Sequence, residues 1–195
     1  MRTIFFLLCG MFLAGVAFGQ AWDMQEAKAH PAPFLEGVLA GIIGHEIGHG
    51  IVATSKGFDI GVRGLSIVYP GAQMSPSDHL EVASAGIQMQ WLLSEAVLRE
   101  HEAHPTERLS QFKAGMVMSH IGITAAYLTF LKNHSRGDLI GMADATGIST
   151  DTLAAVLILP AALDYWRLTG EDVPRWVPAI SASYKGLGVA AVWTY

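Results

Sequence analysis

Five apolar stretches follow one another along most of this chain, and they constrain its fold more than any other feature. Each is close to the roughly 20 residues that a helix needs to cross a bilayer. Their interiors are rich in Gly, Ala and Ser, which suits close helix packing in lipid. The pattern predicts an all-α, polytopic helical membrane protein with about four to five core helices. The stretches cover about residues 34–54, 82–98, 114–131, 152–168 and 177–194, and only 114–131 is free of charged residues.

The composition narrows the possible classes of protein. Hydrophobic residues make up 51% of the chain and charged residues 15%, against roughly 25% charged residues in an average soluble domain. With 12 Lys and Arg and a net charge of −5, a nucleic-acid partner is not expected. A single cysteine excludes a disulfide scaffold. A soluble protein with a large apolar helical core would have the same composition, so that alternative stays open.

The N-terminus has the layout of a targeting segment. Arg2 precedes an uncharged apolar run over residues 4–18, and small residues follow it. This order predicts a signal peptide or an N-terminal anchor over residues 1–19. The rest of the chain, residues 20–195, is then expected to form one membrane-embedded domain.

Residues 58–69 differ from their apolar surroundings. The run FDIGVRGLSIVY contains Val, Ile, Tyr and Gly, a composition typical of short strands bounded by turns. It predicts a short β-like segment after the first of these apolar stretches, the one that contains His45 and His49.

The strongest chemical signal is the run His45-Glu46-Ile47-Gly48-His49 inside the apolar segment GVLAGIIGHEIGHGIVAT. On a helix, His45 and His49 lie one turn apart on the same face. Two imidazoles at that spacing can hold one Zn²⁺, and the adjacent Glu46 can take a proton from zinc-activated water as general base. Ionisable residues in an apolar helix are costly and are therefore expected to be functional.

A catalytic zinc needs a third protein ligand. The candidates downstream are Asp138, Asp144, Asp164 and His120. Spacing alone does not rank Asp138 above Asp144. His120 could bind metal or stabilise an oxyanion, but a lone buried histidine most often only hydrogen-bonds to a backbone carbonyl.

These residues resemble the site-2 protease family of intramembrane zinc metalloproteases, in a divergent bacterial form. The run GHEIGHGIVATSKGFDI is similar to the first core helix of that family. The segment SAGIQMQ is similar to its A-G-P-x-x-N segment, with Gly86 matching, Ile87 in place of proline and Gln90 in place of asparagine. The run GDLIGMADATGIS is similar to a variant in which an aspartate precedes T-G-I by eight residues, and it selects Asp138 as the third ligand.

The resemblance implies a zinc-dependent peptidase in a bacterial inner membrane. Its metal ligands are expected to be His45, His49 and Asp138, and Glu46 is expected to act as the catalytic general base and acid. The expected partners are a lipid bilayer and a membrane-protein or peptide substrate. The usual N-x-x-P-x-x-x-x-D-G motif of the family is absent, and the loops are too short for a PDZ-like insertion.

Two other functions fit the same residues. A non-catalytic metal-binding membrane protein, such as a zinc carrier or a degenerate protease scaffold, also needs histidines and acidic residues in an apolar helix. A soluble secreted zinc peptidase is the other alternative, although the extended motifs of the soluble classes are not evident.

Overall fold

Seven helices and one β-hairpin make up the part of the chain that this computed structural model describes, residues 20–132, 134 and 137–195. The predicted signal peptide or anchor over residues 1–19 lies outside these residues. The helices are α1 (Met24–Ala29), α2 (Pro31–Ser55), α3 (Pro76–Ala103), α4 (Gln111–Thr129), α5 (Asp138–Thr146), α6 (Thr150–Thr169) and α7 (Trp176–Trp193); the strands are β1 (Gly61–Arg63) and β2 (Ser66–Val68).

Local sequence signals fix where several helices begin and end. Ser75, Ser110 and Ser149 precede α3, α4 and α6, and each hydroxyl oxygen accepts a hydrogen bond from the backbone N–H three residues further on. These contacts satisfy an N–H group that has no partner within the helix. Gly147 ends α5 in the left-handed conformation, with φ 71°, which a residue without a β-carbon adopts at little cost.

Glycines let the backbones of neighbouring helices approach α2 closely. A β-carbon at Gly37 would lie 1.9 Å from the carbonyl oxygen of Phe112 on α4. A β-carbon at Gly48 would lie 2.6 Å from the carbonyl oxygen of Ala85 on α3. Helix α2 therefore lies directly against both α3 and α4, and the side chains of its buried face meet residues from both helices.

The strands form a small antiparallel hairpin after α2. Val62 pairs with Ile67, and Arg63 pairs with Ser66 across the turn. Gly64 lies in that turn with φ 66°, a conformation that favours glycine. The prediction of short strands within residues 58–69 is confirmed.

The largest apolar cluster in the described residues lies among the five helices α3 to α7. It includes Trp91 of α3, Tyr127 of α4, Leu139 of α5, Leu157 of α6 and Val192 of α7. Because all five helices contribute, burial of this cluster fixes α5 against α3 and α4. This packing positions the N-terminus of α5, where Asp138 lies.

The helical content agrees with the sequence analysis, but the prediction of a polytopic membrane protein is wrong. Among the described residues, only α6 is long and apolar enough to cross a membrane, and 50% of the relevant window is buried inside the protein. The stretch without charged residues, 114–131, lies mostly in α4. That helix also includes Gln111, Lys113 and His120, and these polar residues lower its mean hydropathy.

Candidate metal centre

The two motif histidines point from α2 into the protein. His45 and His49 are 4% and 5% exposed, and their ring centroids are 4.8 Å apart with an interplanar angle of 80°. Their Nε2 atoms lie 3.1 Å from each other. The one-turn spacing predicted from the sequence therefore brings two imidazole nitrogens to the same point.

Asp138 brings a third potential ligand atom to that point. It is the first residue of α5. Its Oδ2 lies 3.0 Å from His45 Nε2, and its Oδ1 lies 3.3 Å from His49 Nε2. One ligand atom from each of the three residues falls within a group spanning no more than 4.8 Å. The three residues form a group that could bind a metal ion, with the donor set of a catalytic zinc site: two imidazoles and a carboxylate.

The outer nitrogens of both rings are held by acceptor oxygens. His49 Nδ1 lies 2.7 Å from the carbonyl oxygen of Val82, and His45 Nδ1 lies 3.3 Å from Oε1 of Gln90. A carbonyl oxygen accepts hydrogen bonds only, so His49 Nδ1 carries the proton. In the neutral ring the lone pair is then on Nε2, the atom that faces Asp138. Such contacts orient metal-binding histidines.

The electrostatics of the group favour a cation between the three residues. Burial lowers the pKa of His49, but the charge of Asp138 and the hydrogen bond to it outweigh burial and raise that pKa to about 9. Burial acts to raise the pKa of Asp138, but the two imidazoles hold it well below its usual range. Without metal, the group therefore contains an imidazolium–carboxylate pair, and a divalent cation can replace the shared proton.

Gly86 of α3 leaves space beside the ligand nitrogens. A β-carbon at this position would lie 2.5 Å from Nε2 of both His45 and His49. Any larger residue would therefore occupy the space where a metal ion would contact these two atoms. Gly86 is one of the residues that carry the family resemblance, and this contact gives a physical reason for a glycine here.

Tyr127 of α4 contacts the carboxylate from its other side. Its hydroxyl donates a hydrogen bond to Asp138 Oδ2, with an O–O distance of 2.5 Å. Burial and the charge of Asp138 both raise the pKa of Tyr127, so the hydroxyl keeps its proton at neutral pH. Tyr127 can therefore orient the carboxylate by hydrogen bonding.

Glu46 lies next to the group but is not part of it. Its Oε2 accepts a hydrogen bond from the backbone N–H of Ile67 on β2, at 2.7 Å. This contact ties the hairpin to α2 at the residue that the sequence analysis names as general base. Glu46 and His49 both line a cleft of about 670 Å³ that runs between the hairpin, α3 and α5.

The remaining third-ligand candidates lie elsewhere. Asp144 lines the same cleft, one helical turn beyond Gly141, but it is not in the group that could bind metal. Asp164 and His120 belong to a second buried cluster, where His120 Nδ1 lies 3.2 Å from Asp164 Oδ2. The structure therefore brings Asp138, and none of the other three candidates, to the motif histidines.

The second cluster is built from buried ion pairs. Asp164 is fully buried, and its Oδ2 lies 2.6 Å from Lys185 Nζ. Arg167 Nη1 lies 3.2 Å from Asp164 Oδ1 and 2.8 Å from Glu95 Oε2. Lys185 also contacts Glu95, at 3.1 Å. Because these residues come from α3, α6 and α7, the cluster joins the three helices.

Sequence reasoning did not identify the contacts that surround the ligands. Tyr127 and the Val82 carbonyl are brought to the site by the packing of α3, α4 and α5, and no local motif indicates them. Gln90 was noted only as a departure from the family pattern, although its position one turn after Gly86 places it on the same face of α3.

No family model, curated protein or solved structure matches this chain in comparisons with known proteins.

Proposed function

We propose that this chain is a zinc-dependent peptidase of the site-2 protease type. His45, His49 and Asp138 are its metal ligands, and Glu46 is its general base and acid. The observation that carries the proposal is the convergence of the three ligand atoms beside Glu46 in an open cleft. Histidines that only stabilise a core need neither a neighbouring carboxylate base nor access from a cleft.

The residues fit a zinc ion by their chemistry. The two Nδ1 atoms are held by oxygens, the two Nε2 atoms face a carboxylate, and Gly86 leaves the space beside them open. A bound zinc ion would polarise a substrate carbonyl and lower the pKa of water toward about 7.

Glu46 moves the proton in this mechanism. Its Oε2 is held by the Ile67 N–H, so proton transfer is assigned to Oε1. Oε1 takes a proton from the attacking water as the water oxygen bonds to the carbonyl carbon of the scissile peptide. The same atom then gives that proton to the leaving nitrogen when the C–N bond breaks.

The hairpin offers a backbone edge to an extended substrate. The N–H of Ile67 points to Glu46 and away from β1, so the outer edge of β2 faces the metal centre. An added peptide strand can pair with such an edge through backbone hydrogen bonds, but the Ile67 N–H is already bonded to Glu46, so the strand would pair through the other backbone groups of this edge. Binding through the backbone would bring a peptide bond of the substrate beside Glu46, and it would not depend on the side chains of the substrate.

We assign the protein to a membrane as part of the same proposal. Helix α6 has the length and hydropathy to cross a bilayer, but half of that window is buried inside the protein, so the stronger support comes from α2. Helix α2 exposes a row of aliphatic side chains, spaced every four residues, that are 46% to 53% exposed: Leu39, Ile43, Ile47 and Ile51. An exposed apolar row of this length indicates a contact with lipid or with another apolar surface. Recovery of the protein in the carbonate-washed membrane fraction is expected, and full recovery in the soluble fraction contradicts the assignment.

Metal content and hydrolysis together test the mechanism. We expect about one zinc per chain in the wild type, no zinc in Asp138→Ala, and full zinc in Asp144→Ala and Glu46→Gln. Peptide hydrolysis should fall by about 10²- to 10⁴-fold in Glu46→Gln. Undiminished hydrolysis in Glu46→Gln contradicts the mechanism. A zinc-loaded wild type that hydrolyses no peptide would instead support the non-catalytic metal-binding alternative.

A further inference from the structure

The cleft over the metal centre continues along α5 beyond the ligands. Asp138, Gly141 and Asp144 all line it, at intervals of three residues that keep them on one face of the helix. A β-carbon at Gly141 would lie 2.8 Å from the Ala83 β-carbon and 3.1 Å from His79 Nε2 on α3. The cleft therefore runs along α5, beside the first turns of α3. Asp138 lies at one end of this part of the cleft, and Asp144 lies at the other end.

The distance from the ligands to Asp144 matches a few residues of extended peptide. Asp144 lies six positions after Asp138 along α5, a rise of about 9 Å at 1.5 Å per residue. An extended chain covers that length in about three residues at roughly 3.3 Å each. If the scissile bond of a substrate lies at the metal centre, the substrate side chain about three residues away would lie near Asp144.

Neither the helix dipole of α5 nor an ion pair explains why an acidic residue occupies position 144. It lies in the last turn of α5, where no basic residue is present. A carboxylate there is disfavoured by the helix dipole. Asp144 is exposed, and among the described residues no ion pair involves it.

The other charged or titratable groups of the cleft restrict where a cation can bind. Glu46 and Asp138 belong to the metal centre. Arg63 is the last residue of β1 and lines the cleft from the hairpin. It follows Val62, which pairs with Ile67, the residue that contacts Glu46. Its positive charge repels a cation at the hairpin side of the cleft. His79 lies beside Gly141, between the ligands and Asp144. Glu46, Asp138 and Asp144 are the acidic residues that line the cleft. Because the first two belong to the metal centre, Asp144 is the carboxylate that can bind a cationic group of a substrate.

We propose that Asp144 binds the side chain of a lysine or arginine about three residues from the hydrolysed bond. This inference rests on the proposed peptidase function, because it assigns a substrate class to the same cleft. It makes Asp144 a specificity-determining residue and leaves the metal to His45, His49 and Asp138.

A library of N-acetylated, C-amidated decapeptides tests the inference, since capping removes the terminal charges. Peptides cleaved by the wild type are sequenced by mass spectrometry and aligned at the cleaved bond. We expect about tenfold enrichment of Lys and Arg near the third position on one side. That enrichment should disappear in Asp144→Asn and change to Glu and Asp in Asp144→Lys. The matched control is Asp151→Asn, which alters an exposed carboxylate outside the cleft and should keep the enrichment.

A binding measurement separates this inference from the peptidase proposal. Zinc-loaded Glu46→Gln protein is used to select peptides from the same library without cleavage. Selection of Lys and Arg peptides that is lost in the Glu46→Gln, Asp144→Asn double variant supports the cation site, even if the wild type cleaves nothing. Cleavage or selection without a Lys and Arg preference, or a preference kept in Asp144→Asn, overturns it.

Discussion

Tyr127 donates its hydroxyl hydrogen to Asp138 Oδ2 across 2.5 Å, and this joins α4 to the carboxylate of the candidate metal centre. The same oxygen lies 3.0 Å from His45 Nε2. Asp138 begins α5, so its backbone position depends on how that short helix packs. The hydrogen bond from Tyr127 adds a side-chain constraint on the orientation of the carboxylate. Groups in this position commonly tune both the geometry and the affinity of a metal site.

Replacing Tyr127 by Phe should weaken zinc binding while keeping the fold. The phenyl ring retains the contacts of Tyr127 in the apolar cluster, but the carboxylate loses its hydrogen-bond donor. We expect zinc affinity to fall by about 10- to 100-fold, measured by competition with a chromophoric chelator. The control is Tyr184→Phe, whose hydroxyl donates to the Val156 carbonyl on an exposed surface. Equal affinities for wild type and Tyr127→Phe would show that the carboxylate is oriented without Tyr127.

Replacing Gly86 by Ala should remove the metal site more severely. The new methyl group would lie 2.5 Å from Nε2 of both His45 and His49, so the rings or α3 must shift. We expect zinc content to fall from about one per chain to near zero, measured by elemental analysis of the folded protein.

The matched control for Gly86 is Gly122→Ala on α4. A β-carbon there meets nothing within 4 Å, so zinc content should not change. Alanine in an exposed helix should also raise the free energy of unfolding by about 0.5–1 kcal/mol. Full zinc content in Gly86→Ala would contradict the role given to this glycine.

Local patterns in the sequence predict the parts of the structure that depend on local physics. The spacing of His45 and His49 places them on one helical face, and the strand-like composition of residues 58–69 predicts the hairpin found there. The third ligand comes from tertiary packing, so spacing left Asp138 and Asp144 equal. Resemblance to a family favoured Asp138, and the structure places that residue at the histidines.

Hydropathy did not predict which helix could cross a membrane. Four to five spanning helices were expected, and the stretch 114–131 was the one without charged residues, but α4 begins at Gln111 and contains polar residues. The helix with spanning character is α6, which contains the fully buried Asp164. Apolar length alone does not distinguish a lipid-facing helix from a helix that packs around buried ion pairs.

The stability of the metal-free protein should fall as the pH rises from about 6.5 to 9. In the folded state the pKa of His49 is raised to about 9, above its ordinary value near 6.5. The stabilisation from its protonated form is therefore complete below pH 6.5 and is lost as the pH passes through 9. The loss should be on the order of 3 kcal/mol, measured by urea unfolding in EDTA.

The pH effect depends on Asp138, because its charge and hydrogen bond raise the pKa of His49. The Asp138→Asn variant should therefore show a much flatter pH dependence between 6.5 and 9. In the wild type, protons compete with zinc for His49, so zinc affinity should rise over the same interval. Identical pH profiles for wild type and Asp138→Asn in EDTA would argue against the imidazolium–carboxylate pair.

Replacing Lys185 by Met should destabilise the protein without acting on the metal ligands directly. The change removes the closest cation of the fully buried Asp164, at 2.6 Å, leaving it with Arg167 at 3.2 Å, and it leaves Glu95 with one cation fewer. Removing one partner of a buried ion pair costs about 3–5 kcal/mol. The exposed pair of Lys132 with Asp151 provides the control, since Lys132→Met should cost no more than about 1 kcal/mol.

A second substitution tests whether unpaired charge is the cause of that loss. Adding Asp164→Asn to Lys185→Met removes the carboxylate that lost its closest cation and kept Arg167 at 3.2 Å. The double variant should therefore be less destabilised than the sum of the two single variants, by about 0.5–3 kcal/mol. Strict additivity would mean that the two residues act independently despite their contact. The cluster would then join α3, α6 and α7 mainly by packing, and the loss in Lys185→Met would reflect the shape of the side chain.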